Sequence, residues 1–425
     1  RDLTTVGPEA ERSAPPGRAW IEVDLDALRR NAEALARAVA PARLIPMIKA
    51  DAYGLGAVRA ARALRAVEPY AFGVASADEG AALRRAGIGE RIVVFSPCAS
   101  IDGPALRRHA LEPAVLGVEG LRALVGEGEP VADQALAGGA VTGGHLGGEP
   151  PAVHLEIDTG IGRAGLPAGA GWAGEIARVV AAGRLRVATT YSHLHSAESN
   201  PAATRSQLDR FREAVEVLRA AGLDPGPLHI ANSAAAIAGP SYHLDLVRPG
   251  LYLYGGGRGW PRAVAPEPEP VVRVRARVLE VRSVDAGVTV SYGATYTTSA
   301  PARLATLGIG YADGVPLGLS NRGGAVVRGR RVPIRGAVCM DGTVVDVTEV
   351  RGVRAGDFAT LLGSDGGEEI RLDELAESAG TIEHAVLTGL GRRLPRIYRD
   401  EGVDERETDT ERSGARATGP DVADG

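Results

Sequence analysis

A chain of 425 residues is too long for one small core, and length alone predicts two or three domains. With 44% hydrophobic residues and a formal net charge of −5, it lacks the basic excess of a nucleic-acid binder, and no uninterrupted apolar stretch reaches membrane length. Cys98 and Cys339 form no metal-type cluster and no signal-peptide pattern opens the chain, so a reduced, cytoplasmic setting without a metal centre is expected.

Residues 1–18 are rich in Pro, Gly and charge and read as a flexible lead. Residues 19–23 alternate like a half-buried strand, and Asp24 is a plausible N-cap for a helix carrying Leu25, Leu28, Ala32, Leu35 and Val39 on one stripe. That helix ends before Pro41. Short apolar runs then follow at 43–48, 71–75, 92–95, 113–116, 152–157, 186–191, 228–231 and 244–247, most of them separated by amphipathic helical patterns such as Ala77–Arg85 and Gln207–Ala221. Eight such units predict an α/β fold whose N-terminal part, 19–265, is a (β/α)8 TIM-like barrel. The Gly- and Ala-dense segment 124–150 reads as a loop or insertion.

From 266 to 400 the texture changes to alternating runs at 271–283, 288–291, 303–309, 325–328, 332–339, 343–348 and 357–362, with a helix near 372–379. This predicts a C-terminal mostly-β domain, followed by a disordered tail at 401–425. The strand at 19–23 precedes the barrel and is free to pair into that β domain.

Polar groups gather at the ends of the barrel strands: Lys49 and Tyr53, Asp158 and Arg163, His193 and His195, Asn232 and Ser233, Arg248 and Gly250. A barrel builds its site on that face. Lys49 closes the apolar run Leu44–Ile48, and a lysine amine crowded by apolar neighbours shifts toward its neutral form and can condense with a carbonyl. The pattern Gly160-Ile161-Gly162-Arg163-Ala164-Gly165 matches a dinucleotide fingerprint, but the next strand, Arg184–Thr190, ends without the acidic residue that binding requires. The glycines instead permit a tight turn at a strand end.

Seven motifs carry a resemblance. Ile48-Lys49-Ala50-Asp51-Ala52-Tyr53-Gly54, Asp158 to Gly165, Ala231-Asn232-Ser233-Ala234, Val247-Arg248-Pro249-Gly250-Leu251, Val290-Ser291-Tyr292-Gly293, Gly310-Tyr311-Ala312-Asp313-Gly314 and Cys339-Met340-Asp341 resemble, in order, those of the alanine racemase family of pyridoxal-phosphate (PLP) enzymes. The likeness runs from about residue 19 to 398. It implies that Lys49 carries PLP and acts as base on one face of the substrate α-carbon, while Tyr292 of a second subunit in a homodimer acts on the other. His193 and Arg248 match the network that lowers that tyrosine's pKa, with Arg248 also facing the pyridine nitrogen. Tyr53, Asn232, Ser233 and the amides of Gly250 and Leu251 match the cofactor site. Arg163 and the Met340 amide match the receptor for the substrate carboxylate, and Tyr311 and Asp341 the entrance.

The implied activity is interconversion of L- and D-alanine, supplying D-alanine for the cell wall. Some positions depart from the family pattern. Glu156 stands where many members have a carbamylated lysine, and it is expected to pair with Arg163. Leu55, Ala337 and Gly342 replace more polar residues, and Leu390–Pro395 lacks a tyrosine for the phosphate. These departures leave open a racemase or epimerase of serine or another amino acid, or a PLP-binding protein without turnover.

Overall fold

The computed structural model describes residues 17–125, 150–167, 169 and 171–399. The lead up to residue 16, most of the 124–150 insertion and the tail from 400 lie outside the described residues.

The first helix, Leu25–Val39, starts where the Asp24 carboxylate accepts a hydrogen bond from the Ala27 amide at 2.7 Å. Its stripe of Leu28, Ala32, Leu35 and Val39 is buried. Eight parallel strands run side by side in the order Arg43–Leu44, Leu246–Val247, Leu228–His229, Arg186–Tyr191, Ala152–Asp158, Glu112–Val115, Ile92–Val94 and Phe72–Val74. The two ends of that row meet. Tyr70 N donates to Leu44 O at 2.8 Å, Gly73 N to Pro46 O at 2.9 Å and Ile48 N to Gly73 O at 2.8 Å, which closes the barrel beside Lys49. Closure satisfies the strand edges and turns all the C-terminal strand ends toward one mouth.

The second sheet is ordered Arg330–Pro333, Gly324–Val327, Phe358–Asp365, Val272–Val284, Ala19–Asp24, Arg396–Arg399, with Ala302–Leu307 and Thr343–Asp346 alongside. The strand Ala19–Asp24 pairs antiparallel with Val272–Val284 and parallel with Arg396–Arg399. By pairing it belongs to the β domain rather than to the barrel with which its numbering groups it. One apolar core, from Ile21 and Leu35 through Ile230 to Val326 and Leu387, runs through both parts.

Local chemistry shortens two expected strands. The run 288–291 keeps only Thr289–Val290, because Ser291 turns to φ +64. The run 332–339 leaves the sheet after a bridge at Ile334, where Gly336 adopts φ +76 and donates its amide to Asn321. A helix at Glu383–Gly389 was not anticipated; seven residues are too few to display a helical period.

Candidate active site

Lys49 opens a single turn, Lys49–Gly54, in which Ala50, Asp51, Ala52 and Tyr53 all have φ between +52 and +58. Left-handed backbone at non-glycine residues costs roughly 1–2 kcal/mol each, so this turn must be held from outside. It is held on three sides. Glu79 accepts from the Ala50 amide at 2.7 Å while its other oxygen accepts from Ala75 at 2.7 Å at the start of Ala77–Arg85. Asp51 accepts from the Ala57 amide at 2.7 Å, and Arg396 from the β domain donates to Gly54 O at 3.1 Å. The Lys49 side chain is open at the barrel mouth yet crowded by protein. That desolvation, with the charges of Arg163 and Arg248, lowers its pKa against the opposing pull of Glu79.

Arg248 is buried and fully engaged. It donates to His229 Nδ1 at 2.6 Å, to Ser192 O at 2.7 Å and to His193 Nδ1 at 3.3 Å, and its guanidinium lies 5.0 Å from the Tyr191 ring centroid. From His229 a line of hydrogen bonds crosses the barrel: His229 Nε2 to Thr189 Oγ1 at 2.8 Å, Thr189 Oγ1 to His154 Nδ1 at 2.7 Å, and His154 Nε2 to Glu112 at 2.9 Å. Burial lowers the pKa of both histidines, so both are neutral. Their tautomers follow from the ends of the line. A carboxylate can only accept and a guanidinium can only donate, so His154 donates to Glu112, Thr189 to His154, His229 to Thr189, and Arg248 to His229. Arg91 completes the line with a forked pair to Glu112 at 2.9 and 2.7 Å, and Glu112 is held down to about 2 by His154 and Arg91 against the desolvation that opposes them.

Burial, Arg248, Arg163 and Lys49 push His193 down to about 3. It is neutral, so of His193 and Arg248 only Arg248 carries charge. The expected Glu156–Arg163 ion pair is absent among the described residues. Glu156 points into the barrel, buried, and accepts from the Tyr191 hydroxyl at 2.9 Å, whereas Arg163 lies exposed beyond the strand end. Burial raises the Glu156 pKa, and Arg163 lowers it only at longer range.

Beside Lys49 a set of donors converges. Tyr53 is buried against Tyr254, with ring centroids 4.7 Å apart, and burial raises its pKa to about 12, so its hydroxyl stays protonated. Ser233 accepts from the amides of Gly250 at 2.9 Å and Tyr252 at 3.3 Å. A Cβ at residue 250 would overlap the Tyr53 hydroxyl, so glycine lets that hydroxyl lie against the backbone at 250. Hydroxyls and amides without a carboxylate suit a phosphate dianion, and the residues present fit PLP. Asn232 serves locally, capping Ser233–Ala238 by accepting from the Ala235 amide at 3.0 Å.

The remaining expected site residues gather elsewhere. Tyr292, Tyr311, Met340 and Asp341 lie on loops of the β domain, with Tyr292 75% exposed. The Gly310–Gly314 and Cys339–Asp341 loops are zipped by Tyr311 N to Cys339 O at 2.9 Å and Ala312 N to Met340 O at 3.1 Å. A side chain at Gly310 would strike both of those carbonyls. Among the described residues no hydrogen bond or ion pair joins this group to the Lys49 group.

Sequence reasoning missed Tyr191 and His229, the last residues of their strands, Thr189 and His154 within theirs, and Glu112, which opens its strand; all five are buried. Alternating polar residues inside otherwise apolar strand runs were the available signal. It also missed His384, whose ring lies 5.8 Å from that of Tyr53 and whose pKa is lowered by desolvation and Lys49. His384 sits just upstream of Leu390–Pro395, where a tyrosine was sought.

A lysine amine disposed toward its neutral form, at the mouth of a parallel barrel and beside a donor set for phosphate, defines the class: barrel enzymes that carry PLP on a lysine. The family description "Alanine racemase, N-terminal domain" matches residues 23–257, and "Alanine racemase, C-terminal domain" matches residues 271–398. An alanine racemase of Symbiobacterium thermophilum is 42% identical over 389 residues, covering 89% of this chain and 96% of the relative. One of Nostoc sp. is 36% identical over 394 residues, covering 89% and 95%. The crystal structure of alanine racemase from D-cycloserine-producing Streptomyces lavendulae aligns with TM-score 0.79 at 32% identity, covering 91% of this chain and 98% of that one. That of Bartonella henselae alanine racemase with covalently bound pyridoxal phosphate aligns with TM-score 0.76 at 27% identity, covering 90% and 100%. The chain belongs to the alanine racemase family.

Proposed function

We propose that this protein is a PLP-dependent racemase interconverting L- and D-alanine, working as a homodimer whose sites combine Lys49 of one chain with Tyr292 of the other. The observation that carries this reading is the placement of the pKa-lowered Lys49 amine beside Tyr53, Ser233 and Gly250 at the barrel mouth. PLP, when bound, supplies an electron-withdrawing ring that makes the substrate α-hydrogen acidic. Lys49 holds the cofactor and takes or returns a proton at one face of the α-carbon; Tyr292 does so at the other. Arg248 stays charged and cannot pass a proton to the ring nitrogen. Arg163 and the Met340 amide receive the substrate carboxylate, while Tyr311 and Asp341 border the entrance.

Exposure of Tyr292, Tyr311 and Met340 on one chain supports a face completed by a second copy. No helix among the described residues is long and apolar enough to cross a membrane, and none of their His, Cys, Asp and Glu side chains cluster as a metal site. A cytoplasmic role in supplying D-alanine for the cell wall fits this reading. A second reading, racemisation of serine, is favoured by His384, whose imidazole offers a hydrogen-bonding partner near Lys49 and Tyr53.

The test is incorporation of solvent deuterium at the α-carbon, with chiral analysis, for the purified protein supplied with PLP and a panel of L- and D-amino acids. Exchange with inversion, fastest for alanine, is the expected result. Faster inversion of serine would install the second reading. Absence of exchange while PLP remains bound would leave a binding protein.

A further inference from the structure

The loops that carry Tyr311, Met340 and Asp341 are tied to two distant parts of the chain by one buried carboxylate. Asp313, 1% exposed, accepts from the Gly310 amide at 3.0 Å, from Arg393 Nε at 2.9 Å and from Arg18 Nη2 at 3.0 and 3.2 Å. Both arginines reach past it to the neighbouring loop. Arg393 Nη2 donates to the Asp341 carboxylate at 2.7 Å, while Arg18 donates to the Asp341 main-chain carbonyl at 2.8 Å and to its carboxylate at 3.4 Å. Two guanidinium groups therefore bridge two carboxylates, and the four charges balance.

Arg18 is itself fixed. Arg277 donates its amide to Arg18 O at 2.7 Å and its Nε to Gly17 O at 2.9 Å, and Gly308 leaves room where a Cβ would press on the Arg18 Cβ at 2.9 Å. The stretch just ahead of the first strand is thus strapped across the β domain and ends with its guanidinium on the substrate-side loop. Arg393 arrives from the other end of the chain.

We propose that Arg18 and Arg393, joined through Asp313, are positioning residues that set the Met340–Asp341 segment and thereby the carboxylate-receiving end of the site. The inference rests on the proposed racemase reading, in which the Met340 amide meets the substrate carboxylate. A fork that bridges two carboxylates is a geometric device as well as a charge, so lysine in its place keeps the charge and loses the bridge. Neither arginine faces Lys49 or the phosphate donors, so the effect falls on substrate affinity before it falls on cofactor loading.

The experiment compares holoenzyme of wild type, Arg18→Ala, Arg18→Lys and Arg393→Ala for KM and kcat in both directions, and for amide hydrogen exchange across 339–342. Loss of uniform substrate binding predicts KM for L- and D-alanine raised about tenfold in the alanine variants, with kcat within about threefold and the Lys49-bound PLP absorbance unchanged. Arg18→Lys is expected to restore only part of the KM, and exchange at 339–342 to quicken in both alanine variants. Unchanged KM, unchanged exchange, or full restoration by Arg18→Lys would overturn the clamp. If the wild-type protein racemised no amino acid, the proposed activity would fall, while exchange in Arg18→Ala would still decide whether the clamp holds the loop.

Discussion

The barrel mouth and the loop face of the β domain contribute to one proposed site in opposite ways. At the mouth, Arg248 and Tyr53 are buried, the hydrogen bonds run inward, and desolvation sets the protonation of Lys49, His193, His229 and Tyr53 within a single chain. On the loop face the backbone is tightly zipped, but Tyr292, Tyr311 and Met340 stand exposed. One half is electrostatically finished; the other is shaped and waiting for a surface. In the proposed reading the mouth fixes the cofactor, and reaction with a substrate depends on which loop face covers it.

The sharpest way to break this comparison is to inactivate each half separately and then mix them. Lys49→Ala is expected to abolish the PLP–lysine absorbance and to cut turnover by at least about 10⁴-fold, since it removes both the cofactor tether and a base. Tyr292→Phe should retain that absorbance and lose roughly 10³-fold in racemisation, most severely for the enantiomer whose α-hydrogen it removes. Co-refolded or co-expressed, the two inactive variants should recover up to about a quarter of wild-type activity, because half the dimers are mixed and each mixed dimer has one intact site. No recovery in verified mixed dimers would place Lys49 and Tyr292 of one site on the same chain.

A smaller effect probes the mouth alone. Gly250→Ala places a methyl group against the Tyr53 hydroxyl. Displacing that donor should weaken PLP affinity by about 10–100-fold in an absorbance titration, with thermal stability changed far less. Tight PLP binding by this variant would show that the glycine is not what brings the donors together.

The two regions also differ in how legible they were. The barrel was readable because eight apolar runs with intervening helical patterns repeat a unit, and Lys49, Arg248 and Gly250 sit in motifs at its strand ends. The loop residues Tyr292, Tyr311 and Met340 were found through their motifs alone, since nothing in periodicity separates them from β-domain core. What escaped depends on three-dimensional direction. Glu156 was paired with Arg163 from its position in the family pattern, yet strand alternation turns its carboxylate to Tyr191. The neutral state of His193 rests on burial among Lys49, Arg163 and Arg248, which cannot be summed from sequence. The Arg248–Glu112 line joins Arg248, just past one strand, to residues of four neighbouring strands that lie far apart in sequence.

That line gives the smallest predicted effect, in stability rather than rate. Glu112 sits near 2 in the folded protein against an ordinary value near 4.5, so the unfolded chain binds its proton more readily. A depressed carboxylate stabilises the fold above its unfolded pKa and loses that contribution as pH falls from about 4.5 through about 2. The contribution at neutral pH is on the order of 2–3 kcal/mol, because the carboxylate is buried and doubly paired with only partial solvent screening. Glu112→Gln should therefore be less stable at pH 7, and its denaturant midpoint should vary less than that of wild type between pH 5 and pH 2. Glu112→Gln still offers His154 an acceptor, and Arg248, a donor alone, still fixes both tautomers, so the variant removes the charge without reordering the line. Equal acid sensitivity of the two proteins would mean that the barrel interior gains nothing from this charge.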